Sequence, residues 1–149
     1  MYNTILIIHS WTRWFVLIFA LIAIIKAFRG WQGNLKFEKS DSSIGGMFVG
    51  TMHLQVLLGL LLYFWLSPDT DIAFSDFGAA MKNPTLRFWA VEHIIGMVIA
   101  VVVAQVGRNK SKTATEDIQK HRKTFIYYLI SIVIVLLSMP YVIRPLFRI

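Results

Sequence analysis

TILIIHSWTRWFVLIFALIAIIKA, residues 4–27, holds only two charges, Arg13 and Lys26, in a run long enough to cross a hydrocarbon core, which takes roughly 20 apolar residues per helix. Three more runs read the same way: 46–66, 86–107 and 123–143. Together they leave little chain for anything outside a membrane. The 149 residues are 56% hydrophobic and 15% charged, with a mean hydropathy of +0.61; soluble domains carry about 25% charge. The expected fold is therefore all-α, an integral membrane four-helix up-down bundle that forms a single transmembrane domain over residues 1–149.

The first run lacks a basic residue before Arg13, is too long for a secretory h-region and shows no small-x-small cleavage site, so it is expected to stay on the protein. The absence of cysteine excludes thiolate metal sites, disulfides and thiol catalysis. A pI near 9.9 would suggest nucleic acid in a soluble protein, but here the basic residues flank apolar runs and report topology. Lys26, Arg29, Lys36 and Lys39 lie around the first connection, and Arg108, Lys110, Lys112, Lys120, Arg122 and Lys123 around the third. The middle connection carries Asp69, Asp71 and Asp76 against Lys82. The positive-inside rule puts the first and third connections in the cytoplasm and both termini outside.

Pro68 and Pro84 bracket the middle connection, where Ile72, Phe74, Phe77, Ala80 and Met81 suit either a short interfacial helix over the outer mouth or an irregular loop. Thr113 with Glu116 reads as a capping box, which would start the fourth helix near Ala114. Pro140 and Pro145 would close that helix.

Each run carries or adjoins one histidine: His9, His53, His93 and His121. An ionisable side chain at membrane depth calls for a functional reading. At 1.5 Å per residue, His9 and His93 both lie roughly 8–10 Å inside the outer boundary. His53 lies roughly 10 Å inside the inner one, and His121 at or just outside it, where solvation is expected. First and third helices are diagonal in this connectivity, as are second and fourth, so an outer pair (His9, His93) and an inner pair (His53, His121) could face each other as axial ligands of b-type haem iron. Gly50 and Gly96 stand three residues from His53 and His93 and could make room for a porphyrin, or could simply mark close helix crossings. Arg13 and Arg87 would meet the propionates of an outer haem, and Lys120, Arg122 and Lys123 those of an inner one. Glu92 needs a cationic partner, Arg13 or Arg87. The tryptophans and tyrosines near the run ends read as interface anchors.

In HSWTRW (residues 9–14), HLQVLLGLLLYF (53–64), LRFWAVEHIIGMVIA (86–100) and KHRKTFIYY (120–128), the chain resembles a family of small four-helix membrane proteins of Bacteroidota labelled "cytochrome B". The resemblance covers nearly the whole length. It implies an inner-membrane protein that binds haem, and it points to His9, Arg13, His53, Gln55, Arg87, Glu92, His93 and, less firmly, His121. It departs at Ile94, Ile95 and Gly96, where a Pro and a bulkier residue are expected after Val-Glu-His.

Two functions follow as expectations. One is a membrane b-type cytochrome with no catalytic site of its own, carrying electrons through bis-histidine haem between a quinol pool and a partner. Its cofactor would be haem b, one rather than two. The other is a haem-free accessory or assembly subunit of a larger respiratory or secretion complex in the inner membrane. Membrane lipid is a partner on either reading, and nucleic acid is not. Proton handling through Arg13, Glu92 and the histidines, or a metal held by His9, His93 and Glu92, ranks lower.

Overall fold

The computed structural model describes residues 1–141; Pro145 and the tail of the expected fourth run, 142–143, lie outside them. All regular structure among the described residues is helical. α1 (Tyr2–Gln32) ends at Gly33 and turns through Asn34, which takes the left-handed conformation (φ 48°) open to an asparagine. α2 (Lys39–Leu61) runs on into a π-helical turn, Leu62–Leu66. Three short helices follow, α3 (Pro68–Ser75), α4 (Phe77–Ala80) and α5 (Pro84–Arg87). A second π-helical turn, Phe88–Glu92, leads into α6 (His93–Thr113), and α7 (Asp117–Leu137) completes the described elements.

Three helical stretches are long and apolar enough to cross a membrane: Tyr2–Gln32, Lys39–Leu66 and Pro84–Thr113. α7 differs because its opening turns contain Asp117, Lys120, Arg122 and Lys123, which leaves only its later part free of charge.

α1 packs on α2 and α7, and α6 packs on the same two, so α1 stands diagonal to α6 and α2 to α7. The neighbours run antiparallel. Lys26 pairs with Asp41 at 3.1 Å where α1 ends and α2 begins, while His9 meets Gln55 at the other end of the same pair. In α6 and α7, Ser111 bonds Thr124 at one end and His93 bonds Ser138 at the other.

The interior is built from small residues at alternating spacings of three and four. α1 buries Val16, Ala20, Ala23, Ala27 and Gly30; α6 buries Ala100, Ala104, Gly107 and Ser111. Large apolar side chains point outward instead, with Leu21 60%, Leu57 59% and Trp65 75% exposed. A water-soluble fold buries its large apolar side chains and keeps such patches small. Small residues inside and large ones outside are what helices use to approach each other where the surroundings are themselves apolar. Buried hydroxyls stitch the seams: Ser131 donates to the Ala100 carbonyl (2.7 Å), Thr124 to Ser111 Oγ (2.9 Å), and Tyr128 across to the Gly45 carbonyl of diagonal α2 (3.2 Å).

Local expectations are amended in two places. Thr113 does not open α7: its hydroxyl bonds back to the Asn109 carbonyl, so α6 continues through it and α7 starts at Asp117. The reciprocal capping box is at α2, where the Glu38 amide donates to Asp41 Oδ2 (2.9 Å). The middle connection does form a helix, but Asp76 breaks it by capping α4 through the Ala79 amide. Its buried positions are the small Thr70, Ala73 and Ala80, while Ile72, Phe74 and Phe77 are exposed.

Candidate cofactor site

Where the alanine seam of α1 gives way to Leu6, His9 and Arg13, the four long helices line a partly open cavity of about 120 Å³. That is close to the size of an engineered core cavity that admits benzene, and far beyond a packing defect. α1 contributes His9, Ser10 and Arg13, α2 contributes Met52, Gln55 and Gly59, and the α6 side contributes Trp89, His93 and Met97. Val135, Met139 and Pro140 close the α7 side, and Ser67 and Thr70 sit at the α3 end. Both π-helical turns adjoin it through Tyr63 and Trp89, and such turns recur at functional sites because one extra residue re-aims the side chains around it.

His93 is oriented by α7. Its Nδ1–H donates to the Ser138 carbonyl at 2.8 Å, which leaves Nε2 as the unprotonated nitrogen of the neutral ring. Phe88 and Trp89 flank the ring at 5.7 and 5.5 Å. Gly96 makes this possible: a Cβ there would overlap Ser138 Oγ. The space expected at Gly96 for a porphyrin is thus taken by Ser138, and Gly96 serves His93 through α7.

His9 is oriented by α2. The Gln55 amide donates to its Nε2 (3.3 Å), again making Nε2 the lone-pair nitrogen, while its Nδ1 is buried without a hydrogen-bond partner, as is Gln55 Oε1. Gly59 lies against the same ring, a Cβ there coming 3.3 Å from His9 Cε1.

Of the other expected residues, Arg13 lines the cavity, with its guanidinium 5.7 Å from the Trp14 ring. Arg87 does not line it. It pairs with Glu92 at 2.7 Å on the half-exposed flank of the π-helical turn, which identifies the partner of Glu92 and takes both away from His9 and His93. No three histidine or acidic side chains cluster as a metal site among the described residues.

The inner pair is not brought together. His53 is exposed on the outward face of α2, its Nδ1–H donating to the Val49 carbonyl of its own helix (2.8 Å). Gly50 beside it is also exposed, with nothing near enough to meet a Cβ. His121 is buried rather than solvated, 2% exposed, because Gly30 of α1 leaves room for its ring. It packs on Phe37 (4.9 Å), its Nε2–H donates to the Lys36 carbonyl (3.3 Å), and its Nδ1 has no partner. The space between α2 and α7 that a second macrocycle would need is filled by Tyr128 edge-on to Phe48 at 4.8 Å. Lys120 pairs with Asp117, and Arg122 lies over Trp31.

Sequence reasoning passed over Gly59, Trp89, Ser138 and the three wall methionines, Met52, Met97 and Met139. The signal for Gly59 was present: 45, 48, 52, 55 and 59 continue one three-four seam along α2.

The cavity residues fit a bis-imidazole haem. Two imidazoles come from diagonal helices: His93 presents a free Nε2, while His9 Nε2 accepts from Gln55, which would have to release it before it could bind iron, and Gly59 keeps that ring uncrowded. A macrocycle takes more room than the cavity offers, so the wall methionines Met52, Met97 and Met139, adaptable apolar side chains, would have to move aside to admit it. The residues of the other end do not fit a second one. Comparison with family models, curated proteins and solved structures found no match for this chain.

Proposed function

We propose that the protein is an up-down four-helix bundle of the bacterial inner membrane with both termini outside. It holds one haem b between His9 and His93 as an electron carrier between a quinol pool and a partner complex. What carries the reading is the convergence of these two imidazoles, from diagonal helices, on a single cavity. The resemblance in the HSWTRW and VEH segments points the same way. The membrane part rests on three apolar spanning-length helices, on the small-inside, large-outside packing, and on basic first and third connections against an acidic second.

Bound haem supplies one-electron chemistry, tuned by axial ligands, hydrogen bonding and burial. The chain's own residues set those conditions. Ser138 holds His93 in one tautomer and raises its basicity. Gln55 places the His9 ring through Nε2 itself and would give up that bond when the nitrogen is taken by iron. Arg13, one turn from His9, meets carboxylate charge, and the methionines with Val135 keep the site apolar.

Isolation in mild detergent followed by a reduced-minus-oxidised spectrum and pyridine haemochrome quantitation tests the proposal. A b-type spectrum at about one haem per chain is the expected result. An intact, folded protein without a Soret band overturns it.

One observation favours a second reading, the haem-free accessory subunit. His53 lies exposed on an apolar helix face, where a lipid-facing imidazole is costly and a partner helix would relieve it. On that reading His9→Ala and His93→Ala loosen assembly while no cofactor is ever recovered.

A further inference from the structure

At the end of the molecule opposite the cavity, Arg108 projects from α6 into a crevice that α2 and α7 complete. Its guanidinium rests on two adjacent glycines. A Cβ on Gly46 would come 2.9 Å from Nη2 and 3.2 Å from Cζ, and one on Gly45 would lie 3.6 Å from Nη1. Nη1 donates to the Ser42 carbonyl at 3.0 Å and the guanidinium also bonds the Tyr128 hydroxyl, which leaves part of its five donors open. Among the described residues no carboxylate pairs with Arg108. Asp41 shares the crevice but is engaged, with Lys26 at 3.1 Å and with the Glu38 amide at 2.9 Å.

Three of the four hydroxyls around the crevice, all but that of Ser42, have also spent their hydrogens. Ser111 donates to the Lys120 carbonyl, Thr124 to Ser111, and Tyr128 to the Gly45 carbonyl. The side-chain donors left facing the crevice are those of Arg108, Lys112 and the Ser42 hydroxyl. A half-buried guanidinium with open donors and no acid paired to it suits an anion, and its planar fork matches phosphate oxygens in pairs. Basic pockets between helices at the cytoplasmic boundary are where anionic headgroups are bound.

We propose that Arg108, seated on Gly45 and Gly46 and joined by Lys112, binds the phosphate group of an anionic phospholipid at the inner membrane boundary. The proposal rests on the membrane placement given above and not on haem.

The test uses the full chain in mild detergent, probed by native mass spectrometry and thermal melting with phosphatidylglycerol, with phosphatidylcholine or with inorganic phosphate. Phosphatidylglycerol is retained and raises the melting temperature. Arg108→Gln lowers its retention by about tenfold or more, the scale of a charge-assisted hydrogen bond, and Lys110→Gln, on the exposed neighbour, leaves it unchanged. Gly46→Ala keeps every charge but displaces the guanidinium, so it also lowers retention; a crevice that merely complements the α6 dipole would not respond to it. Lys112→Gln gives a smaller loss and keeps the test open if Arg108→Gln fails to fold. Equal retention of phosphatidylcholine, or no dependence on Arg108 and Gly46, overturns the proposal, and protection by inorganic phosphate alone overturns the lipid source. Failure of the membrane placement is read separately, as release of the protein into the aqueous phase on alkaline extraction.

Discussion

His9 and His93 reach one cavity but are held by different neighbours, and the difference can be tested one side chain at a time. His93 depends on Ser138, and Ser138 depends on the missing side chain of Gly96. Gly96→Val therefore forces α7 away, costs about 1–3 kcal/mol as an overpacked seam does, and lowers both the melting temperature and bound haem. A variant with unchanged melting and an unchanged Soret band would remove Ser138 as the group that orients His93. On the proposed haem reading, replacing the histidines separates the two ends of the molecule: His9→Ala and His93→Ala lose haem, whereas His53→Ala retains it, as read by pyridine haemochrome. Loss of haem in His53→Ala would instead place the cofactor on the outward face of α2. His121 belongs to the packing. Gly30→Val drives a side chain into the imidazole and lowers stability by about 1–3 kcal/mol without changing the spectrum.

At the scale of the elements, the seams rest on small residues and a few buried hydroxyls rather than on large apolar cores. The Ser131 bond to the Ala100 carbonyl is such a hydroxyl. Hydrogen bonds of this kind between membrane helices average about 0.6 kcal/mol and reach about 1.7, so Ser131→Ala costs that much in a detergent melt. Gly107→Leu costs more, because a Cβ there already runs into Tyr127. The π-helical turn Phe88–Glu92 sets what precedes His93. Removing Val91 restores α-helical spacing and swings Trp89 through about 100° relative to His93. The expected outcome is a shifted Soret band with haem content kept, and an identical spectrum would show that Trp89 has no part in the site.

For the whole molecule, charge and fold make one topological prediction. The chain has no cysteine, so single-cysteine variants report cleanly. Gly78→Cys, in the acidic middle connection, is labelled in intact cells by a membrane-impermeant maleimide, and Lys112→Cys only after permeabilisation. The reverse pattern inverts the orientation and moves the His9–His93 cavity to the cytoplasmic half.

Read from its residues alone, the chain disclosed that it is helical, apolar at spanning length, basic around the first and third connections and acidic in the second, and that α1 should lie diagonal to α6. Those properties depend on composition, on run length and on the short connections, which are local. The face each histidine presents is not local. His9 and His53 both sit in apolar runs, yet one is turned inward against Gln55 and Gly59 and the other outward onto its own carbonyl. A helix that is apolar all round carries no hydrophobic stripe to say which side is buried. That choice was made by which small residues let neighbouring helices close: Gly30 admitted His121, Gly96 admitted Ser138, and Tyr128 with Phe48 filled the α2–α7 diagonal. The remaining opening between α1 and α6 is where the two outer imidazoles meet, and only packing in three dimensions decided that the inner pair would not.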